Sequence, residues 1–164
     1  VVAIRVGIFL IPEEKLEALE AWGYLGNFLI AVITNATVVL PAPGILVVFS
    51  LGARLNPLWV AVTAGLGATV GELSGYTAGF SGQAVIEDVV AYEKLVHWVR
   101  TRGGLVIFVL AAIPNPLFDF AGIAAGALKM PLRKFFLWVS LGQIVKMALV
   151  AYAGAGVLNL PWIS

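Results

Sequence analysis

Three ionisable residues lie inside long apolar stretches of this 164-residue sequence: Glu72, Asp119 and Lys146. A charged side chain at the centre of a bilayer costs about 2.5–3.5 kcal/mol on insertion scales, so such groups are paired, protonated or turned towards water. Asn35 and Asn115 place amide groups in similarly apolar surroundings. We therefore take these five residues as candidates for binding or moving a polar ligand, and the two carboxylates as candidates for proton exchange.

The amino-acid composition indicates the environment that surrounds these polar residues. Hydrophobic residues make up 61% of the chain and charged residues 12%, with a mean hydropathy of +1.01. An average globular domain has about 25% charged residues. The sequence therefore predicts an integral membrane protein, and its length suits one bundle of helices of about 20 residues each.

Several kinds of site are excluded by residue content. The chain has no cysteine and a net charge of +1, so it offers no disulfide, no thiolate metal site and no electrostatic reason to bind nucleic acid. His97 is the only histidine, which leaves it without a second metal ligand or a catalytic triad. We expect His97 to lie at a surface or interface, and we expect no enzyme activity, metal or cofactor.

Two proline pairs interrupt the apolar stretches, Pro41 with Pro43 and Pro114 with Pro116. Proline removes a backbone donor and pushes the preceding residue towards extended backbone. The apolar arms beside each pair are short, so hairpins that enter the membrane and return are more economical than full crossings. We expect the prolines to shape these re-entrant hairpins rather than to contact a substrate.

Two longer apolar segments follow the hairpins. Leu58 to Gly79 predicts a transmembrane helix, and Phe135 to Ala153 predicts a second. Glycines recur in the first at spacings of mainly four, which allows close helix packing; they are Gly65, Gly67, Gly71, Gly75 and Gly79. Between the two segments, Ser81 to Gly104 has the pattern of an amphipathic helix lying along the interface.

The hairpin and the long helix occur twice. Pro41 and Pro43 match Pro114 and Pro116 at an offset of 73 residues, whereas Pro57 matches Pro131 at an offset of 74. Each hairpin returns to its starting side and each long helix crosses once, so the second unit is inverted. We predict an all-α integral membrane protein with an inverted repeat of two re-entrant helical hairpins, each followed by a transmembrane helix, plus interfacial amphipathic helices.

We expect a single membrane domain with five parts: an N-terminal or interfacial segment (1–20), a first repeat (21–79), an amphipathic connector (80–104), a second repeat (105–154) and a C-terminal end (155–164). Residues 1–12 are either the end of a longer helix or an interfacial segment. Six basic residues fall on one predicted side, against Lys15 and Arg54 on the other; they are Lys94, Arg100, Arg102, Lys129, Arg133 and Lys134. The positive-inside rule makes the six-charge side cytoplasmic.

The offset of 74 also aligns Glu72 with Lys146. We therefore predict that the two side chains approach each other inside the bundle, directly or through Asp119. In the alternative interpretation, Lys146 extends to a surface and Glu72 is a protonated packing residue.

Three segments resemble the DedA/VTT-domain family, also called SNARE-associated Golgi proteins. They are LPAPG at 40–44, GATVGELSGYTAG at 67–79 and PNPLFDFAGIAAGALKMPLRKFF at 114–136. The resemblance implies paired inverted hairpins and movement of phospholipids or polyprenyl-phosphate carriers between leaflets, with proton or ion coupling left open. It supports roles for Glu72 and Asp119. Many members carry a glutamate where this chain has Gly44 and Ile45, and an arginine where it has Ala111.

The leading hypothesis is therefore a lipid transporter of scramblase or flippase type in a membrane, with a prokaryotic cell membrane as the expected location. Glu72, Asp119 and Lys146 would line or gate a polar route. Arg133 and Lys134 would attract an anionic headgroup at the cytoplasmic mouth, or serve as ordinary positive-inside anchors. A small-solute or ion transporter and a non-transporting scaffold remain alternatives, and homo-oligomerisation is left open.

Overall fold

Seven α-helices and no strands make up the residues that the computed structural model describes, namely 13–36, 42–82, 89–113 and 118–158. Side-chain surroundings are described within these ranges except at 13–20, 42, 43, 118, 119, 157 and 158. The helices are α1 (Glu13–Ala36), α2 (Ala42–Gly52), α3 (Pro57–Ser81), α4 (Val89–Arg102), α5 (Gly104–Ala112), α6 (Phe118–Ala127) and α7 (Leu132–Leu158). The predicted all-α class is confirmed.

Local chemistry defines both ends of α3. The Asn56 side chain accepts a hydrogen bond from the Leu58 N–H (3.0 Å), and Pro57 occupies the first helical position, where its missing N–H costs nothing. Gly82 ends the helix in a left-handed conformation (φ 72°), and its N–H bonds the Ala78 and Gly79 carbonyls. The helix start predicted at Pro57 is confirmed.

The two long helices, α3 and α7, pack against each other and run antiparallel. Gly65 of α3 approaches the backbone of Ile144 in α7. Further along α3, the ring of Tyr76 lies 4.7 Å from the ring of Phe135, near the start of α7. A later residue of α3 thus contacts an earlier residue of α7, which shows that the two helices are antiparallel.

The first helix, α1, includes the acidic segment that was expected in the N-terminal part, 1–20. Residues 13–20 and the apolar residues after them form one unbroken helix of 24 residues, which is about 36 Å long at 1.5 Å per residue. The short apolar arm expected from residue 21 onwards is thus the second part of a longer helix. The arms α2, α5 and α6 are short, with 11, 9 and 10 residues.

Within the described ranges, one helix is long and apolar enough to cross a membrane, over Leu132–Gly156 of α7. The helix α3 has a comparable length of 25 residues. It carries one charged residue, Glu72, among its glycines and threonines. The helix predicted over Leu58 to Gly79 is present, and its crossing of the membrane stays a prediction.

Each long helix packs against a short arm that lies far from it in sequence: α3 against α6, and α7 against α2. Glycines make both contacts close, because a Cβ would meet the neighbouring backbone. In the α2–α7 contact, Gly52 faces Ala151 and Gly154 faces Phe49. In the α3–α6 contact, Gly126 faces Tyr76 and Gly79 faces Ile123.

The remaining glycines of α3 pack mainly against α1. Gly67 approaches the Phe28 carbonyl, and Gly71 approaches the Val32 carbonyl. The packing role predicted for the glycine series is therefore confirmed at Gly65, Gly67, Gly71 and Gly79.

The amphipathic helix expected between Ser81 and Gly104 is present as α4, Val89–Arg102. Leu95 and Val99 are buried, and α4 packs against α6. His97 is exposed on the same helix, as predicted. The helix ends at Gly103, whose φ of 60° turns the chain into α5.

Candidate functional site: a polar layer between two apolar clusters

Two apolar clusters form the core of the described helices. The first contains Ala31, Val48, Val60, Ala61, Ala64, Ala68, Met147 and Ala151. The second contains Tyr76, Val99, Ile107, Ala111, Ala121, Ala125, Phe135 and Val139. Both α3 and α7 contribute to each cluster, so each long helix passes from one cluster to the other.

Buried polar residues occupy the boundary between the clusters on both long helices. On α3, Thr69 and Glu72 lie between Ala68 of the first cluster and Tyr76 of the second. On α7, the buried polar residues are Ser140 and Gln143. We call these four residues, Thr69, Glu72, Ser140 and Gln143, the polar layer.

Gln143 is the most unusual member of the polar layer. It is completely buried on a stripe of α7 whose other members, four residues apart, are apolar: Phe135, Val139, Met147 and Ala151. Neither its Oε1 nor its Nε2 has a hydrogen-bond partner among the described residues, and the same holds for the Ser140 hydroxyl. Leaving such groups without partners costs about 1–3 kcal/mol each, so the site can accept hydrogen bonds from, and donate them to, a ligand or water.

Glu72 faces α6, the short arm that packs against α3. Its side chain is buried, at 4% exposure, and Oε2 lies 3.4 Å from where a Cβ on Gly122 would be. A Cβ at 122 would therefore be in ordinary van der Waals contact with the carboxylate. Gly122 brings α6 close to a buried acid, in the arm that also contains Asp119.

Lys146 lies on the other side of the polar layer, facing α1 and α2. It lines a cavity of about 20 Å³ together with Asn27, Thr34 and Asn35 of α1. That volume is about the size that one water molecule needs. The structure thus brings Lys146 together with Asn35, one of the amides singled out from sequence.

The amides around this cavity are held by the helices. Asn35 donates from Nδ2 to the Ala31 carbonyl (2.8 Å). Asn27 donates from Nδ2 to the Val60 carbonyl and to the Thr63 hydroxyl, both at 2.9 Å, which joins α1 to α3. The Oδ1 atom of Asn27 has no partner in the described parts of the chain. An acceptor with spare capacity thus lies on the residue that lines the Lys146 cavity.

The sequence departs at two places from the family that it resembles: at Gly44 and Ile45, and at Ala111. Each place lies at a contact between helices. Gly44 and Ile45 line the Lys146 cavity, so a glutamate at either position would lie beside the lysine. Ala111 is buried against Gly142 of α7. An arginine at 111 would therefore displace the α5–α7 contact.

Some predicted site residues fall outside the described structure. Asn115, Pro41, Pro114 and Pro116 lie outside the described ranges. Asp119 belongs to α6 and Pro43 to α2, and their side chains are outside the description. The predicted approach of Glu72 to Lys146, directly or through Asp119, stays a prediction.

The basic pair at the start of α7 is exposed, as expected for either of its two interpretations. Lys134 lines a cavity of about 720 Å³ that Arg100 and Lys129 also line. Three of the six residues assigned to one side from sequence are therefore neighbours in the fold.

Sequence reasoning missed Thr69, Ser140, Gln143 and Asn27. A signal for one pair was present, because the offset of 74 that aligns Glu72 with Lys146 also aligns Thr69 with Gln143. Two polar positions repeated at one offset in two apolar helices indicate a repeated polar layer. The burial of Ser140 and Asn27 depends on tertiary packing, which the sequence pattern does not specify.

Comparison with known proteins places this site in context. Residues 40–156 match the family model of the VTT domain. The vacuole membrane proteins KMS1 and KMS2 of Arabidopsis thaliana are each 31% identical to the chain, over 107 and 122 residues, covering 52% and 60% of it. The vacuole membrane protein 1 homolog of Dictyostelium discoideum is 42% identical over 53 residues, or 32% of the chain.

These matches cover 26%, 29% and 13% of the respective relatives, so the chain matches less than a third of their length. No solved structure matches the chain significantly.

Proposed function

Because the chain belongs to the VTT-domain family, we propose that it is a membrane lipid transporter of scramblase or flippase type. Its relatives are named as vacuole membrane proteins, and a membrane location follows from the family. The proposed cargo is a phospholipid or a polyprenyl-phosphate that moves between leaflets. The observation that carries the proposal is the buried polar layer across two long antiparallel helices.

An inverted repeat of re-entrant hairpins is the architecture proposed to hold this layer. The arms α2, α5 and α6 are about 14–17 Å long, which is about half the hydrocarbon core. The antiparallel course of α3 and α7 agrees with inversion. So do the glycine contacts, because Gly52 with Gly126 and Phe49 with Ile123 are each 74 residues apart and occupy equivalent places.

The proposed mechanism keeps the lipid tails in hydrocarbon while the headgroup follows polar groups through the protein. A phosphate-bearing headgroup needs donors, and the Gln143 amide, the Ser140 hydroxyl and Lys146 supply them. Glu72 would repel an anion when charged, so its protonation would open the route. Transport coupled to that protonation depends on pH, and this coupling belongs to the proposal.

Leaflet exchange of fluorescently labelled lipids in proteoliposomes tests the proposal. We expect the wild-type protein to move labelled lipid, and Glu72→Gln, Asp119→Asn and Gln143→Leu each to change the rate at least severalfold. The matched control is Glu93→Gln, which neutralises an exposed carboxylate on α4 and should leave the rate unchanged. Wild-type rates in Glu72→Gln and Gln143→Leu would contradict a role for the polar layer, and a wild-type rate in Asp119→Asn would contradict a role for that residue.

The same vesicles separate the alternatives. Uptake of a soluble solute or ion without lipid movement would replace the proposal with a secondary transporter. No flux of lipid or solute would favour a non-transporting scaffold. The proposed activity is not enzymatic, and the cytoplasmic assignment of the basic side and a prokaryotic cell membrane as the location are part of the proposal. Accessibility labelling of a cysteine introduced at Arg133 in intact cells tests the orientation.

A further inference from the structure

A second site lies outside the polar layer, at the junction of α4, α5, α6 and α7. A cavity of about 720 Å³ is lined there by three cationic side chains, Arg100, Lys129 and Lys134. Its lining among the described residues contains no Asp or Glu. We call it the basic cavity, and its volume lies within the range of ligand sites, about 300–1,000 Å³.

Lys129 lines this cavity and also contacts Phe80 of α3. Its backbone adopts φ 56°, a conformation that non-glycine residues rarely adopt, and it closes the turn between α6 and α7. Its Nζ donates to the Phe80 carbonyl (2.6 Å) and lies 3.6 Å from the centre of the Phe80 ring. The ammonium group thus has two contacts with Phe80 at the edge of α3.

Backbone geometry adds to the positive potential. Helices α5 and α7 both begin at the basic cavity, at Gly104 and Leu132, and neither has an acidic residue in its first turn. Gly103, before α5, gives no side-chain cap to the first turn of that helix. Arg133 and Lys134 in the first turn of α7 oppose the helix dipole, so an anion bound here would relieve an unfavourable arrangement.

The other walls of the basic cavity are apolar. They consist mainly of Val99, Leu128, Met130, Leu137 and Trp138. A soluble anion gains nothing from such walls, whereas an amphiphile places its phosphate among the cations and its first methylene groups against the apolar side chains. In a membrane protein, the charge and the walls together select a lipid.

We propose that the basic cavity binds the phosphate headgroup of an anionic membrane lipid. This site is separate from the route through the polar layer, and binding there does not require transport. Arg100 and Lys129 enter the site through the structure, since sequence reasoning used them only to assign a side of the membrane.

Native mass spectrometry of the purified protein tests the proposal with two named probes, dioleoyl phosphatidic acid and dioleoyl phosphatidylcholine. We expect wild-type protein to retain phosphatidic acid preferentially. Arg100→Gln and Lys134→Gln should each lower that preference about fivefold, since one basic group near an anionic surface contributes about one such factor. Raising the salt concentration before analysis should reduce the wild-type preference.

The matched control is Arg102→Gln, which removes an exposed charge two residues from Arg100 and outside the basic cavity. An equal loss of phosphatidic acid preference in this control would show that the effect comes from general surface charge, and it would overturn the proposed site. Displacement of the lipid by millimolar inorganic phosphate would show a phosphate site without lipid selectivity and would also overturn it. Unchanged melting temperatures are expected for all three variants, because the side chains are exposed.

The outcome is independent of the transport proposal. Phosphatidic acid preference in a protein that exchanges no lipid would support this site and contradict transport. Leaflet exchange by a protein that shows no preference for phosphatidic acid in native mass spectrometry would support transport and contradict this site.

Discussion

The two halves of the molecule pack alike but differ in their polar chemistry. The first half contains α1–α3 and the second α4–α7, and each long helix packs a glycine-lined face on the short arm of the other half. At equivalent places on those helices, the first half carries Glu72 and the second Lys146. The glutamate is buried beside α6, whereas the lysine lines a small cavity beside α2.

This difference distinguishes the residues that serve helix packing from those that we expect to serve transport. Close helix approach is needed equally in both halves, and small residues recur there at one offset. A ligand that passes between the halves meets different groups on each side, and the charges therefore need not be repeated. The residues that break the similarity are the ones that we expect transport to depend on.

Charge reversal at the two positions should have the largest effect. If the predicted approach of the two groups holds, Glu72→Lys or Lys146→Glu alone should destabilise the fold by about 3–5 kcal/mol, because each places two like charges together where Glu72 is buried. The double variant should recover part of the loss if the predicted approach of the two groups holds. The measurement is the unfolding transition in detergent, monitored together with leaflet exchange.

Glu93→Lys, an exposed reversal on α4, is the control for net charge and should change stability little. Absence of recovery in the double variant would contradict the pairing. The two halves would then differ more clearly, because Glu72 would interact only with α6 and Lys146 only with α1 and α2.

Overpacking the two glycine contacts should have the next largest effect. Gly126→Val and Gly154→Val each place side-chain atoms against the backbone of a neighbouring helix, and each should cost about 1–3 kcal/mol or more. Similar losses would support equivalent packing in the two halves. Thermal unfolding in detergent provides the measurement.

Gly156→Val is the matched control for Gly154→Val. It lies two residues further along α7, and a Cβ there meets nothing within 4 Å. A much smaller loss at Gly126 than at Gly154 would show that the two halves tolerate separation differently and would break the similarity of packing.

A smaller effect, of opposite sign, is expected at the centre of the polar layer. Gln143→Leu removes an amide without described partners and should raise stability by about 1 kcal/mol, while lowering leaflet exchange. Thr69→Val at the equivalent place should bring no gain, because the Thr69 hydroxyl already donates to the Gly65 carbonyl (2.8 Å). Destabilisation by Gln143→Leu would indicate that the amide has a structural partner.

Local sequence chemistry accounts for the features that were predicted correctly. Pro57 after Asn56 fixes a helix start, and glycines four residues apart leave few uses other than packing. The offset of 74 that aligns Glu72 with Lys146 also relates Gly52 to Gly126, whereas the approach of the two charged side chains stays a prediction. Each of these signals lies within one helix or at one fixed offset, so no knowledge of the packing was needed.

The features that were missed depend on contacts between distant segments. The acidic start of α1 resembled a separate interfacial segment, and its continuity with the apolar residues arises from one uninterrupted helix that packs on α3. Gln143 and Ser140 look like ordinary polar residues of a long helix. Only the meeting of two apolar clusters at their level makes them buried.

The smallest predicted effect concerns the turns before the long helices, each of which is held by a tyrosine hydroxyl. The Tyr76 hydroxyl donates to the Met130 carbonyl (2.5 Å), and the Tyr24 hydroxyl accepts from the exposed Asn56 N–H (3.2 Å). Tyr76→Phe should cost about 1 kcal/mol, because the part-buried carbonyl loses its donor. Tyr24→Phe should cost less, since water can replace the hydroxyl at an exposed N–H.

Unfolding of the two tyrosine variants under identical detergent conditions measures this difference. Both tyrosines belong to the first half, Tyr24 to α1 and Tyr76 to α3, and the offset of 74 from Tyr76 leads to Val150. The two turns are therefore held by tyrosines that the repeat does not relate. A larger loss in Tyr24→Phe than in Tyr76→Phe would reverse the ranking and make the turn before α3 the more important of the two.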